Sequence, residues 1–305
     1  MEKIVVEHLT KDYGHGRGVF DVSFKVNEGE VFGFLGPNGA GKSTTIRHLM
    51  GFSKPQIGNT KILGENSFEN YTNFMGKVGY LPGEIALPVG LTGYQFIDMM
   101  KKMKGNCDEN YIKHLMDIFE LDASGETKSM SLGIKRKLAV VVAFMNDPDI
   151  LILDEPTSGL DLKMQQQFIK FIKEEKARGK TILLSSHIFS EVDATCDRIA
   201  IIKDWKIVSE FVADDLKHKQ DKIYKILFKN NKDLKLFASK IDENKVKKVD
   251  INKDEIIIST NDKHINYLIS LLSEFEILNF EHLKETLEDF FMSYYKEDKE
   301  FGGSL

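Results

Sequence analysis

Apolar positions follow two periods along this chain, and the change of period marks its elements. Residues 3–9 and 20–35 are rich in Val, Ile and Phe and are broken by "KDYGHGRG" and "NEGE". That pattern predicts strands joined by turns, antiparallel near the start. From about 92 to 146 the spacing turns helical, in "LTGYQFIDMMKKMK", "DENYIKHLMDIFE" and "GIKRKLAVVVAFM". "DILILDE" then reads as a buried strand, followed by the helix "DLKMQQQFIKFIKEEKARG", the strand "KTILLSS" and a short helix. "DRIAIIKDWKIVSEFV" reads as a closing hairpin. Strands alternating with helices predict a mainly parallel sheet.

The charged stretch "DDLKHKQDK" predicts a domain boundary, dividing residues 1–215 from 216–305. Beyond it the spacing predicts strand 222–228, helix 232–242, strands 246–251 and 254–260, helix 263–274, strand 275–281 and helix 283–295. The order βαββαβ is that of a small α+β, ferredoxin-like domain. Its "LLSEFEILNF" and "LEDFFMSYY" stretches read as core in preference to a lipid-binding face. The 305 residues suffice for one large and one small core.

The phosphate chemistry lies in "GPNGAGKST", which fits GxxxxGK[ST] between a strand and a helix. Gly36, Gly39 and Gly41 let backbone N–H groups turn inward around a polyphosphate, and the helix N-terminus favours negative charge. Lys42 reaches the β- and γ-phosphates and the Ser43 hydroxyl ligates Mg²⁺. The plainer alternative is a glycine turn starting a helix. "DILILDEPTSGLD" supplies Asp154 at a strand end, suited to hold Mg²⁺, and Glu155, suited to orient or deprotonate water. A surface acidic pair is the alternative there.

Together, "GPNGAGKST", "ILDEPTSGLD" and "LLSSH" resemble the ATP-binding subunits of ATP-binding cassette (ABC) transporters, over roughly residues 1–215. The resemblance implies a two-lobed α/β P-loop domain, with a RecA-like core, a helical lobe and N-terminal antiparallel strands. It also implies a head-to-tail dimer with two ATP molecules sandwiched between subunits. Asn38 and Thr44 join the loop's glycines, Lys42 and Ser43 as nucleotide contacts. Tyr13 resembles the aromatic stacked on adenine, His187 the switch histidine on the γ-phosphate, and Asp161 the loop linking the two ATP sites. An aromatic turn residue and a lone histidine are also ordinary packing residues. No NKxD guanine-reading tetrapeptide occurs, which disfavours a GTPase.

Three positions depart from the family. Where LSGGQ is common the chain reads Met130, Ser131, Leu132, Gly133, Ile134, leaving Ser131 and Gly133 to grip a γ-phosphate; a plain helix cap is the alternative. The loop after "VGYLP" has Gly83 where the family offers glutamine, with Glu84 next. Trp205 occupies a turn where glycine is usual.

Charge and composition narrow the function. A net charge of −5 disfavours nucleic acid as a partner. The two cysteines, Cys107 and Cys196, have no paired spacing and read as cytosolic thiols. The N-terminus does not read as a signal peptide, and no apolar run approaches the ~20 residues of a membrane span. The expectation is therefore a cytoplasmic ATPase, peripheral on the inner face of the membrane. It would pair with a second nucleotide-binding subunit and a separate permease, in the manner of bacterial drug, antibiotic and peptide exporters. The alternative is a soluble ABC ATPase acting on ribosomes or nucleic acid. Residues 84–104 are the expected permease contact, with Leu87, Phe96 and Met99 facing a groove.

Overall fold

The computed structural model describes residues 1–105, 107–217, 221–283 and 286–292, which divide into two compact units, Met1–Ala213 and Asp214–Leu305. In the first unit, β1 (Glu2–Asp12), β2 (Gly18–Asn27) and β3 (Val31–Leu35) precede α1 (Lys42–Leu49). Then come β4 (Ile57–Ile62), the short β5 (Glu65–Asn66) and β6 (Val78–Leu81), followed by α2 (Gly93–Lys104), α3 (Glu109–Ile118) and α4 (Leu132–Phe144). β7 (Ile150–Asp154), α5 (Leu162–Ala177), β8 (Thr181–Ser186), α6 (Phe189–Thr195), β9 (Arg198–Lys203) and β10 (Lys206–Val212) follow, and α7 (Ala213–Lys217) crosses the division.

Two sheets build this unit. The antiparallel one has the order β2-β1-β4-β5, and the second has β10-β9-β3-β8-β7-β6. In the second, β6, β7, β8, β3 and β9 run parallel and only β10 is antiparallel. Every residue of β3, β7 and β8 is buried, which is why their apolar residues come in consecutive runs, such as Ile182–Leu184, without polar alternation. Phe24 on β2 stacks against Phe32 on β3 with ring centroids 5.1 Å apart, joining the two sheets in one core. The strand β4, "IGNTKI", goes beyond the sequence reading: between its two isoleucines stand Gly58 and the polar Asn59, Thr60 and Lys61, so it carries almost no apolar signal.

Helix caps match the chemistry of their residues. Thr92 opens α2 in a reciprocal capping box with Gln95, and Asp108 opens α3. Phe96 is buried in this lobe, so it belongs to the core and does not face a groove. Val89, Tyr94 and Met103 are the exposed apolar residues of the stretch.

At Trp205 the hairpin between β9 and β10 turns on two left-handed residues, Asp204 (φ 47°) and Trp205 (φ 64°). Such a turn favours glycine, which explains the family's usual choice. Here the Trp205 carbonyl accepts from Phe20 N at 2.9 Å and the rings meet edge-on, centroids 6.5 Å apart. These contacts hold the strained residue in place.

The second unit comprises β11 (Asp221–Phe228), α8 (Asn231–Lys240), β12 (Val246–Asn252), β13 (Glu255–Asn261), α9 (Ile265–Leu272) and β14 (Ile277–Leu283). The sheet order β12-β13-β11-β14, antiparallel throughout, is the ferredoxin-like arrangement. Ile226, Phe228, Phe237, Ile256, Ile258 and Leu268 form its core. In "LLSEFEILNF", Leu271 and Leu272 are buried while Leu278 and Phe280 are exposed, the latter stacked on Tyr224. The expected last helix, 283–295, is seen over 287–292, with Leu287 and Phe291 buried; Leu283 instead ends β14, Thr286 precedes the helix, and 284–285 and 293–295 lie outside the described residues.

Gly33 tests how tightly the main sheet is covered. A Cβ there would lie 2.8 Å from Val192 Cγ1 and 2.9 Å from Cys196 Sγ on the covering α6 segment. Gly33→Ala is expected to cost about 1–3 kcal/mol by overpacking. Thermal melting should show a fall of several degrees; an unchanged midpoint would mean that α6 yields freely.

Candidate active site

The loop from Gly36 to Gly41 leaves the buried end of β3 and feeds α1 directly. Gly39 and Gly41 hold φ of 83° and 109°, left-handed conformations that turn successive N–H groups to one side. Gly41 caps α1 without a side-chain acceptor, and the first turn of α1 holds no acid. By contrast Thr92, Asp108, Ser131, Asp161 and Asn230 cap their helices with side-chain oxygens. The first N–H groups of α1 are thus left for an anion. Asn38, Gly39 and Ser43 are exposed and Thr44 is half-buried, while Lys42 is only 4% exposed.

Lys42 Nζ donates to the carbonyls of Gly36 at 2.6 Å and Pro37 at 3.1 Å, and pairs with Glu155 Oε1 at 3.0 Å. The other carboxylate oxygen, Glu155 Oε2, accepts from His187 Nδ1 at 2.6 Å. Glu155 reaches both because its backbone is left-handed, φ 49°, directly after β7; its N–H donates to Ser185 O at 3.0 Å. Three residues far apart in sequence therefore form one chain of charge-assisted contacts at the C-terminal edge of the parallel sheet.

Asp154 ends β7 and is buried, with Oδ1 accepting from the Ser185 hydroxyl. Its Oδ2 faces Gly83, where a Cβ would lie 2.9 Å away. A side chain at position 83 would need the Asp154 carboxylate to shift, and the exposed Glu84 is the next side chain along the loop. The buried Asp154 carboxylate and the hydroxyl of exposed Ser43 are hard oxygen donors of the kind Mg²⁺ takes.

The remaining expected residues make their contacts elsewhere. Tyr13 is 55% exposed with Lys11 Nζ 5.7 Å from its ring centre. Ser131 caps α4, accepting from Ile134 N at 3.3 Å, and Gly133 lies in the first turn of that helix. Asp161 caps α5, accepting from Met164 N at 3.0 Å, a bond that lowers its carboxyl pKa.

Residues 19–158 match the family described as ABC transporter. The bacitracin transport ATP-binding protein BcrA of Bacillus licheniformis is 33% identical over 295 residues, spanning 93% of this chain and 94% of that protein. The chain belongs to the ABC transporter ATP-binding family. Linearmycin resistance ATP-binding protein LnrL of Bacillus subtilis is 34% identical over 215 residues, or 69% of each chain. Of solved structures, an ATP-binding subunit of an ABC transporter superposes with a TM-score of 0.64 at 29% identity, covering 71% of this chain and 92% of that one. This ABC protein is an ATPase and binds ATP through its cassette.

Sequence reasoning missed Glu191 and Arg136, two buried charged residues whose partners come from other elements. Glu191, on α6, accepts from the Ser186 hydroxyl at 2.6 Å, and that hydroxyl accepts from Ile188 N at 2.9 Å. The pair brackets His187 and sets the course of its loop. Only the offset of four residues from His187 could have pointed to it. Burial pushes the Glu191 carboxyl up to about 7 from the ordinary 4.5, against the hydrogen bond from Ser186. Between those values the folded protein keeps a proton that the unfolded chain gives up, so this group makes stability fall as pH rises through the window. Glu191→Gln removes the slope. Urea unfolding at several pH values should show the variant gaining on the wild type from pH ~5 to ~7.5; a pH-independent difference would refute the assignment.

Proposed function

We propose that the chain is the ATP-hydrolysing motor subunit of an exporter of a drug, antibiotic or peptide. Two cassettes would close on two ATP molecules and drive a separate membrane permease. The Lys42–Glu155–His187 cluster carries the reading, because it puts a phosphate-binding cation, a base and a switch residue in direct contact. The relationship to a bacitracin transport protein along 93% of the chain supports the exporter class. No helix among the described residues is long and apolar enough to cross a membrane, which fits a peripheral subunit on the inner face. The exposed Val89, Tyr94 and Met103 would meet the permease.

In this mechanism the loop's N–H groups and Lys42 hold the β- and γ-phosphates, with Tyr13 under the adenine. Asp154 and Ser43 would hold Mg²⁺, which supplies charge neutralisation to the phosphates. The γ-phosphate competes with Glu155 for the Lys42 ammonium, so binding frees the carboxylate to orient water. His187 contacts the γ-phosphate as it leaves Glu155. Ser131 and Gly133 of a second subunit would grip the same phosphate through a hydroxyl and the start of α4, with Asp161 beside the join.

Lys42→Ala deletes a charge-assisted contact and is expected to weaken ATP by about 1.5–3 kcal/mol, roughly 10- to 150-fold. Titration with a fluorescent ATP analogue measures it; wild-type affinity together with wild-type hydrolysis would exclude the role.

Glu155→Gln keeps the side-chain shape and loses the base. Phosphate release should fall roughly 10²–10⁴-fold while ATP stays bound. Light scattering coupled to size exclusion should then show dimers with Mg·ATP, and none in the Lys42→Ala background. Wild-type turnover in Glu155→Gln would hand the water to another group, with Glu84 the next to test.

A further inference from the structure

One buried guanidinium joins three parts of the cassette. Arg136 lies on α4 and is 2% exposed. Its Nη1 donates to Pro82 O at 2.9 Å and its Nη2 to Gly83 O at 2.6 Å, both on the loop that follows β6. Its Nε donates to Ser158 O at 3.0 Å, in the turn after Glu155. Backbone carbonyls thus take the hydrogen bonds of a buried cation, and Asp154 and Glu155 add favourable charge from nearby.

Two of these carbonyls lie beside groups of the site. Gly83 lies over Asp154, since a Cβ built there would stand 2.9 Å from its Oδ2. Ser158 N donates to Glu155 O at 3.1 Å, closing the turn that holds Glu155 left-handed. The other end of the linkage is the start of α4. A Cβ at Gly159 would lie 2.9 Å from Leu132 Cγ, and one at Gly133 would lie 3.2 Å from Gly159 O, so the first turn of α4 packs on the same turn. Ser131 stands at its cap.

We propose that Arg136 is a positioning residue for hydrolysis, its fork on Pro82, Gly83 and Ser158 locking the start of α4 to Asp154 and Glu155. When Ser131 shifts against a nucleotide, both carboxylates shift with it. A planar fork with fixed donor directions transmits such a movement; a flexible ammonium does not. Gly83 fits this arrangement, because the loop acts through its carbonyl and a side chain there would crowd the Asp154 carboxylate.

The proposal rests on the assignment of Asp154 and Glu155 to hydrolysis. Arg136→Lys, which keeps the charge and loses the fork, is the deciding variant in the full-length chain. Phosphate release, analogue binding and melting are measured together, with Glu155→Gln alongside. The expected result is a roughly 10- to 100-fold lower kcat, with KM within about threefold and melting within a few degrees of wild type. Arg136→Ala supplies the second arm: added guanidinium ion should restore turnover several-fold without tightening ATP binding.

Wild-type kcat in Arg136→Lys beside an inactive Glu155→Gln overturns the proposal and spares the active site. Wild-type turnover in Glu155→Gln overturns the site assignment itself. A loss of melting temperature and ATP binding in parallel with kcat, without guanidinium rescue, makes Arg136 a stabilising anchor and also overturns the proposal.

Discussion

An ammonium group sealed from water must be ringed by acceptors, and Lys42 imposes that requirement on the cassette. Two carbonyls of its own loop accept its hydrogen bonds, and the opposite charge comes from Glu155, directly after β7. Meeting it needs β3 and β7 to end at the same level of the sheet, with β8 between them. It also needs a left-handed Glu155, a conformation that a carboxylate-bearing residue adopts only when its surroundings hold it. His187 then takes the second oxygen, so the cluster balances its charges internally.

What was legible in the sequence is what depends on near neighbours. The phosphate loop, with its glycines, lysine and hydroxyl within nine residues, carries its own geometry. The ferredoxin-like unit was equally open, since its strands are short runs rich in β-branched residues, as in "EIIISTN". Gly83 was a puzzle because its reason is Asp154, on a different strand. Arg136 drew no reading from the sequence, because nothing local shows that its acceptors are the carbonyls of Pro82, Gly83 and Ser158. Ser131 and Asp161 show a different limit. Both cap helices within this chain, while any role toward a second subunit concerns a surface that one sequence does not describe.

Buried polar groups do different work on the two sides of the site. Beneath His187, Glu191 and Ser186 restrain one loop through a single carboxylate that titrates near neutrality. Toward α4, a permanently charged guanidinium restrains two loops at once. One attachment is sensitive to protons and the other is not, so pH touches the histidine side of the site first.

The turn at Trp205 has an optical consequence. It holds the chain's single tryptophan, so indole emission comes entirely from the first unit, and the second contributes only phenylalanine and tyrosine. A short relay of contacts links this turn to the phosphate loop. The Trp205 carbonyl binds Phe20, whose neighbour Val19 packs so near Gly41 that a Cβ there would lie 2.7 Å from Val19 Cγ1. The protein thus carries a built-in chromophore beside its nucleotide loop. Red-edge excitation follows the melting of the cassette alone, while the far-ultraviolet dichroism records both units, and a gap between the two curves measures how independently they unfold.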